Sequence, residues 1–92
     1  MRENPVVDTS YAFALHIVSL YRLLSGEKRE CVLSKQLLRS GTSIGANVNE
    51  AQAAQSRADF IGKMAIASKE ARETRYWLRL LADSRYINRD SP

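Results

Sequence analysis

The 92-residue sequence has one cysteine, one histidine and no long apolar run, and each shortage excludes a class of protein. The lone Cys31 has no intramolecular disulfide partner, which fits a reducing cytoplasm, and we expect a packed or half-buried thiol there. No segment approaches the roughly 20 consecutive apolar residues of a membrane span. Residues 1–10 lack the apolar stretch of a signal peptide. The sequence therefore predicts a small cytoplasmic protein.

Groups suited to catalysis or metal binding are equally sparse. His16 has no acidic neighbour at helical spacing and no nucleophile paired with it, so we expect a surface histidine. Glu50, Glu70 and Glu73 are carboxylates on predicted helices, but the sequence has no Glu-x-x-His pair of the kind used by metal sites in helical bundles. These absences predict no metal site, no cofactor and no enzymatic activity.

The sequence does have a strong helical periodicity. From Leu33 to Leu81, small and apolar residues recur at alternating steps of three and four, which keeps one stripe on one side of a helix. We predict an all-α fold, an antiparallel up-down helical bundle in a single domain spanning residues 1–92. The three long helices are expected at about residues 10–24, 30–55 and 57–84.

Local signals mark the ends of these helices. Asp8-Thr9-Ser10 is typical of an N-cap for the first helix, and Gly26 is placed to follow its last turn. Ser56, with Asp59 three residues later, forms the S-x-x-D pattern of a capping box for the third helix.

The middle of the second helix is poor in helix-forming residues. Each of Gly41 and Gly45 costs about 1 kcal/mol relative to alanine. Either the helix breaks at Ser40-Gly41, or the glycines stay helical because another backbone comes too close for a side chain. We favour the second interpretation, since the stripe passes through Gly41 in register. The pair lacks the Lys-Ser/Thr of a phosphate-binding loop.

The last residues, 88–92, have the pattern of a helix start, with Asp90 or Ser91 as the cap before Pro92. We expect a fourth helix that is missing or truncated in this chain. Three helices alone leave an apolar groove, and a large apolar patch needs a partner.

The net positive charge is confined to one part of the chain. Residues 57–89 hold eight basic and four acidic residues, whereas the rest holds six of each. Such an asymmetry favours an anionic partner. The candidate nucleic-acid-binding residues lie on one face of the third helix: Lys69, Arg72, Arg75, Tyr76 and Arg79.

Polar residues also lie next to the predicted helix seam. Ser43, Asn47 and Glu50 flank the apolar stripe of the second helix, and Glu70 falls inside the apolar sector of the third. We predict that Asn47, Glu50 and Glu70 are largely buried and satisfy one another or helix ends, fixing register more than adding stability. Trp77, at the margin of that sector, is expected to contact a neighbouring chain or the fourth helix.

Three segments carry a resemblance to a known family: SIGANVNEA (43–51), SRADFI (56–61) and KEARETRYWL (69–78). They closely resemble the bacterial four-helix-bundle proteins known as 23S ribosomal RNA intervening-sequence proteins, or the S23 family. The resemblance implies a left-handed four-helix bundle, a homo-oligomer that is typically a pentameric ring, and no known catalysis. A relative, the accessory variability protein of diversity-generating retroelements, binds nucleic acid and a reverse transcriptase.

Two functions remain open at this point. The first is a non-enzymatic oligomer that binds the RNA or DNA backbone through the basic face of the third helix. The second is a structural or protein-partner adaptor in which the arginines serve only solubility. An enzyme with a carboxylate site between helices ranks last.

Overall fold

The computed structural model describes residues 4–88, which form three helices and no strand. Helix α1 spans Pro5–Gly26, α2 spans Leu33–Ala51 and α3 spans Arg57–Asp83. The all-α helical bundle predicted from the periodicity is confirmed. The predicted bounds are close for α3, whereas α1 is longer and α2 shorter than expected.

Helix α1 begins five residues earlier than predicted. The Asn4 side chain accepts a hydrogen bond from the Val7 backbone N–H at 3.3 Å, and Pro5 occupies the first turn. An Asn cap followed by proline is a strong helix start, because proline lacks an N–H that would be unpaired there. The N-cap predicted at Asp8-Thr9-Ser10 is therefore wrong. Ser10 is buried inside the helix, and its hydroxyl donates to the Val7 carbonyl.

The end of α1 also differs from the prediction. Gly26 is the last helical residue and has no positive φ, so it is not the left-handed residue after the helix. Arg29 takes that conformation instead, with φ of 54°. Lys28 and Glu30 donate their backbone N–H groups to the carbonyls of Leu23 and Leu24, which satisfies the last turn.

Helix α2 starts three residues later than predicted because Glu30 caps it from outside. The Glu30 carboxylate accepts hydrogen bonds from the backbone N–H groups of Val32, Leu33 and Ser34. Partial burial alone would raise the pKa of Glu30, but the hydrogen bonds from these backbone groups outweigh it and lower the pKa below its ordinary value.

The far end of α2 comes earlier than predicted. Ala53 and Ala54 donate backbone hydrogen bonds three residues back, to Glu50 and Ala51. Hydrogen bonds that reach back three residues instead of four tighten the last turn, and the helix ends there. Residues 52–55 therefore form the connection to α3.

The two glycines of α2 remain helical, as favoured from the sequence. A Cβ at Gly45 would lie 3.2 Å from the Ser10 backbone carbonyl oxygen, and one at Gly41 would lie 2.8 Å from a side-chain carbon of Ile17. Glycine is required because α1 crosses α2 at close range. A Cβ at position 45 would meet the backbone of Ser10, whereas a Cβ at position 41 would meet the side chain of Ile17.

Ser56 caps α3 as predicted. Its hydroxyl oxygen accepts a hydrogen bond from the Asp59 backbone N–H at 3.0 Å. At the other end, the predicted start of a fourth helix falls on residues 88–92, and residues 89–92 lie outside the described part of the chain.

Contacts along the helices show that neighbours run antiparallel. Asn4 donates to Gln52, so the start of α1 meets the end of α2. Lys63 pairs with Glu50 and Thr74 contacts Ser40, so α3 runs back along α2. Helix α2 therefore packs against both other helices, whereas within residues 4–88 the backbones of α1 and α3 do not come close.

A cluster of buried apolar residues lies towards one end of this three-helix layer. Its centre is formed by Ile17, Leu24, Leu37 and Leu81, which come from all three helices. At this end α1 finishes, α2 begins and α3 finishes. No helix within residues 4–88 is long and apolar enough to cross a membrane.

Candidate nucleic-acid interface

The basic residues predicted on the third helix share one exposed face of α3. Arg72, Arg75, Tyr76 and Arg79 line a single surface depression. Lys69 is exposed one turn earlier but does not line that depression. Because residues three, four and seven apart lie on the same side of a helix, the face covers about two turns.

Most of this charge is not neutralised within the described chain. Arg79 forms a loose pair with Asp83, at 3.8 Å between Nε and Oδ2, and its side chain is 81% exposed. Within residues 4–88, no carboxylate pairs with Lys69, Arg72 or Arg75. The side chains therefore remain available to an anion.

Glu73, a second acid of α3, is bound by groups outside the basic face. The Glu73 carboxylate accepts from Arg39 of α2 and, at 3.0 Å, from the Trp77 indole N–H. Both donors bind Oε2 of Glu73, so the charge of this carboxylate is compensated by Arg39 of α2. Within residues 4–88, Glu73 therefore forms no ion pair with the basic face, whose one internal pair is that of Arg79 with Asp83.

Glu70 is buried in the seam, as predicted. It is 8% exposed, and its Oε2 accepts from Arg39 Nη1 at 3.1 Å. Arg39 is itself half exposed, so one guanidinium bridges Glu70 and Glu73 from the edge of the bundle. Long arginine side chains reach an edge carboxylate while keeping part of the guanidinium in water.

The sequence interpretation missed the residues that meet across this seam. Thr74 Oγ1 lies 2.7 Å from the Glu70 carbonyl oxygen and 3.0 Å from Ser40 Oγ, and both hydroxyl residues are buried. Every buried side-chain polar atom in residues 4–88 has a hydrogen-bond partner. Ser40 is one turn before Ile44 of the stripe, and Thr74 is in the α3 stripe, so the signal was present in their spacing.

Other members of the predicted polar line do not join this network. Glu50 is exposed and pairs with Lys63 at 3.4 Å, so the prediction that it is buried is wrong. It lies in the last turn of α2, and its side chain is 65% exposed. Ser43 and Asn47 are half-buried, and the Asn47 amide donates to the Ser43 carbonyl of its own helix at 2.9 Å.

Trp77 packs against its own core. It is half-buried beside the central cluster, and its ring meets that of Tyr76 edge-on, with centroids 5.1 Å apart. Trp77 does not line the groove left between α1 and α3. Its contact with a neighbouring chain stays a prediction.

That groove is an apolar feature of the described surface. It has a volume of about 560 Å³ and runs between α1 and α3 over α2. Its apolar walls include Val6, Phe13, Ile44, Val48 and Leu78. Arg75 lies at its edge, so the basic face and the groove adjoin.

Two residues singled out for chemistry have ordinary surroundings. His16 is exposed, as predicted. Cys31 is exposed in the connection between α1 and α2, so the expected packed thiol is wrong, because this connection lies outside the helix contacts. No group of three His, Cys, Asp or Glu residues within residues 4–88 is arranged to hold a metal ion.

Replacing Glu70 tests whether its buried carboxylate stabilises the packing of α2 against α3. We expect Glu70→Ala to lower the free energy of unfolding by about 1–2 kcal/mol, because Arg39 loses a partner and a polar site in the seam is emptied. Glu27→Ala, at an exposed position in the first connection, should stay within about 0.5 kcal/mol of the parent. Urea unfolding at one protein concentration measures both. A Glu70→Ala midpoint equal to that of Glu27→Ala would contradict a structural role for the carboxylate.

The fold and this surface define a small all-α bundle with an exposed basic face on α3. The model of the 23S rRNA-intervening sequence protein family matches residues 2–91, so the chain belongs to this family. It is also similar to the crystal structure of a protein with unknown function from the S23 ribosomal protein family of Bacteroides thetaiotaomicron VPI-5482. That similarity has 61% identity and a TM-score of 0.91, and it covers 92% of this chain and 79% of the other. No curated protein shows significant similarity to this chain.

Proposed function

We propose that this protein is a non-enzymatic cytoplasmic oligomer that binds the RNA or DNA backbone through the basic face of α3. The observation that carries the proposal is the exposed set of Arg72, Arg75 and Arg79 on α3, in which only Arg79 has a carboxylate partner within residues 4–88, a loose pair with Asp83. The neighbouring acid Glu73 is bound by Arg39 and Trp77 instead. Clustered arginines on one face are the electrostatic footprint of phosphate binding.

The groove between α1 and α3 supports an oligomer. An apolar groove of this size is costly to leave in water, and its wall residue Val6 is 50% exposed. We propose a homo-oligomer, a pentamer by resemblance to the family. Repeating the basic face around such an assembly would strengthen weak phosphate contacts through effective concentration.

Charge reversal on the face should abolish most of the binding. We expect Arg72→Glu/Arg79→Glu to weaken binding to RNA and DNA by roughly 10-fold or more at moderate salt. The slope of log affinity against log salt should fall by about one unit for each phosphate that the variant no longer binds. Fluorescence anisotropy with labelled oligonucleotides at several salt concentrations measures both quantities.

The matched control is Arg22→Glu/Lys35→Glu, on α1 and α2. It alters the net charge by the same amount at exposed residues outside the basic face. Sedimentation must show the same assembly for the parent and both variants. If both double variants bind more weakly than the parent and to the same extent, net charge alone controls binding and the basic face is not a site. If all three proteins bind equally, or none of them binds, the adaptor function replaces this proposal.

A further inference from the structure

Tyr76 is the one residue of the basic face that does not carry a charge. It lines the same depression as Arg72, Arg75 and Arg79 and is 59% exposed. A phosphate backbone alone gives no reason for an aromatic ring at the centre of a cationic surface. The ring therefore indicates a second kind of contact with a ligand at the same place.

The ring of Tyr76 rests on a fixed support. Its contact with Trp77 has centroids 5.1 Å apart and an interplanar angle of 75°, an edge-to-face arrangement. Such a contact covers at most one face of the tyrosine ring, so at least one face stays open. The exposed ring lines a depression whose other lining residues are arginines.

The support is itself held from two sides. The Trp77 indole N–H donates to Glu73 at 3.0 Å, Glu73 is also bound by Arg39, and the indole packs against the core. A chain of contacts thus runs from α2 through Glu73 and Trp77 to Tyr76. An aromatic ring placed on a rigid support loses little conformational entropy when it stacks on a ligand.

The combination of an open ring and flanking arginines discriminates between nucleic-acid forms. In a duplex, each base is stacked on its neighbours and shows only its edges in the grooves. An unpaired base has a free face that stacks on an aromatic side chain, while the backbone follows a positive groove. Arg72 and Arg79 lie about 10.5 Å apart along the helix axis, one turn on either side of the ring.

We infer that the basic face binds single-stranded nucleic acid, with an unpaired base stacked on Tyr76 between phosphates held by Arg72 and Arg79. This inference rests on the proposed function and goes beyond it by naming the form of the ligand. Stacking requires no sequence-specific hydrogen bonds, so the site accepts unpaired bases of RNA or DNA with little sequence preference.

The test compares Tyr76→Ala with Tyr76→Phe and Tyr76→Leu. With an unstructured labelled oligonucleotide, in RNA and DNA forms, Tyr76→Ala is expected to weaken binding by roughly 5- to 150-fold. Tyr76→Phe keeps the stacking face and is expected to stay within about 3-fold of the parent. Tyr76→Leu is apolar but not aromatic, and it should behave like the alanine variant. A fully paired duplex of the same length should bind more weakly and respond little to any of the three.

Two outcomes would overturn the inference while the proposed function stands. One is a parent protein that binds the duplex as tightly as the single strand. The other is a Tyr76→Ala protein that binds the single strand like the parent while Arg72→Glu/Arg79→Glu loses binding. If the double arginine variant also binds like the parent, the proposed function itself fails. Because Trp77 is the only tryptophan, a change in its fluorescence on binding reports whether the ligand reaches this place.

Discussion

Replacing Leu37 by alanine is expected to lower the free energy of unfolding by about 2–5 kcal/mol. Leu37 is fully buried on the central helix and belongs to the buried cluster that all three helices share, so truncating its side chain leaves a cavity in the core. A domain of this size has a total stability of only about 5–15 kcal/mol, so the loss is a large fraction of the whole.

The control for this variant is Leu15→Ala on α1. The Leu15 side chain is 53% exposed, and leucine and alanine have similar helix propensities, so we expect a change within about 0.5 kcal/mol. Urea unfolding of both proteins at one concentration, with the slope checked for two-state behaviour, gives the comparison. Similar midpoints for the two variants would show that Leu37 is not at the centre of the core.

Alanine at Gly41 should destabilise the protein although it favours the helix. The added Cβ would lie 2.8 Å from a side-chain carbon of Ile17, which is itself 3% exposed and fixed in the core. Overpacking costs about 1–3 kcal/mol, and the gain in helix propensity is about 1 kcal/mol. We expect a net loss of up to about 2 kcal/mol.

Gly62→Ala is the matched control for the glycine test. Gly62 lies in α3, and a Cβ there would have no atom within 4 Å. The same chemical change should therefore stabilise the protein by about 0.5–1 kcal/mol. Thermal and urea unfolding measure both variants, and a Gly41→Ala protein as stable as Gly62→Ala would refute the close approach of α1.

The helices and their seam follow from the sequence by itself. Alternating steps of three and four specify which residues share a helix side, and this local geometry holds whatever packs against it. The same spacing indicated that α2 continues through Gly41 and that Glu70 lies in the seam. The capping residue Ser56 was also recognisable, since its hydrogen bond spans only three residues.

The basic face of α3 was visible from the sequence for the same local reason. Lys69, Arg72, Tyr76 and Arg79 fall on one side of any regular helix, and the structure places Arg72, Arg75, Tyr76 and Arg79 around one depression. The spacing did not reveal whether these charges were free. Whether Glu73 pairs with the basic face depends on its contact with Arg39, which lies 34 residues away in the chain.

Tertiary structure alone decided where each side chain is covered by another helix. Glu50 and Glu70 both lie beside an apolar stripe, but Glu70 is in mid-helix under Arg39, whereas Glu50 is in the last turn of α2 and extends into water. The open groove arises because α1 and α3 both pack on α2 and stay apart from each other. Periodicity assigns a residue to a side of its own helix, but burial depends on how far the neighbouring helix extends and on the register in which it packs.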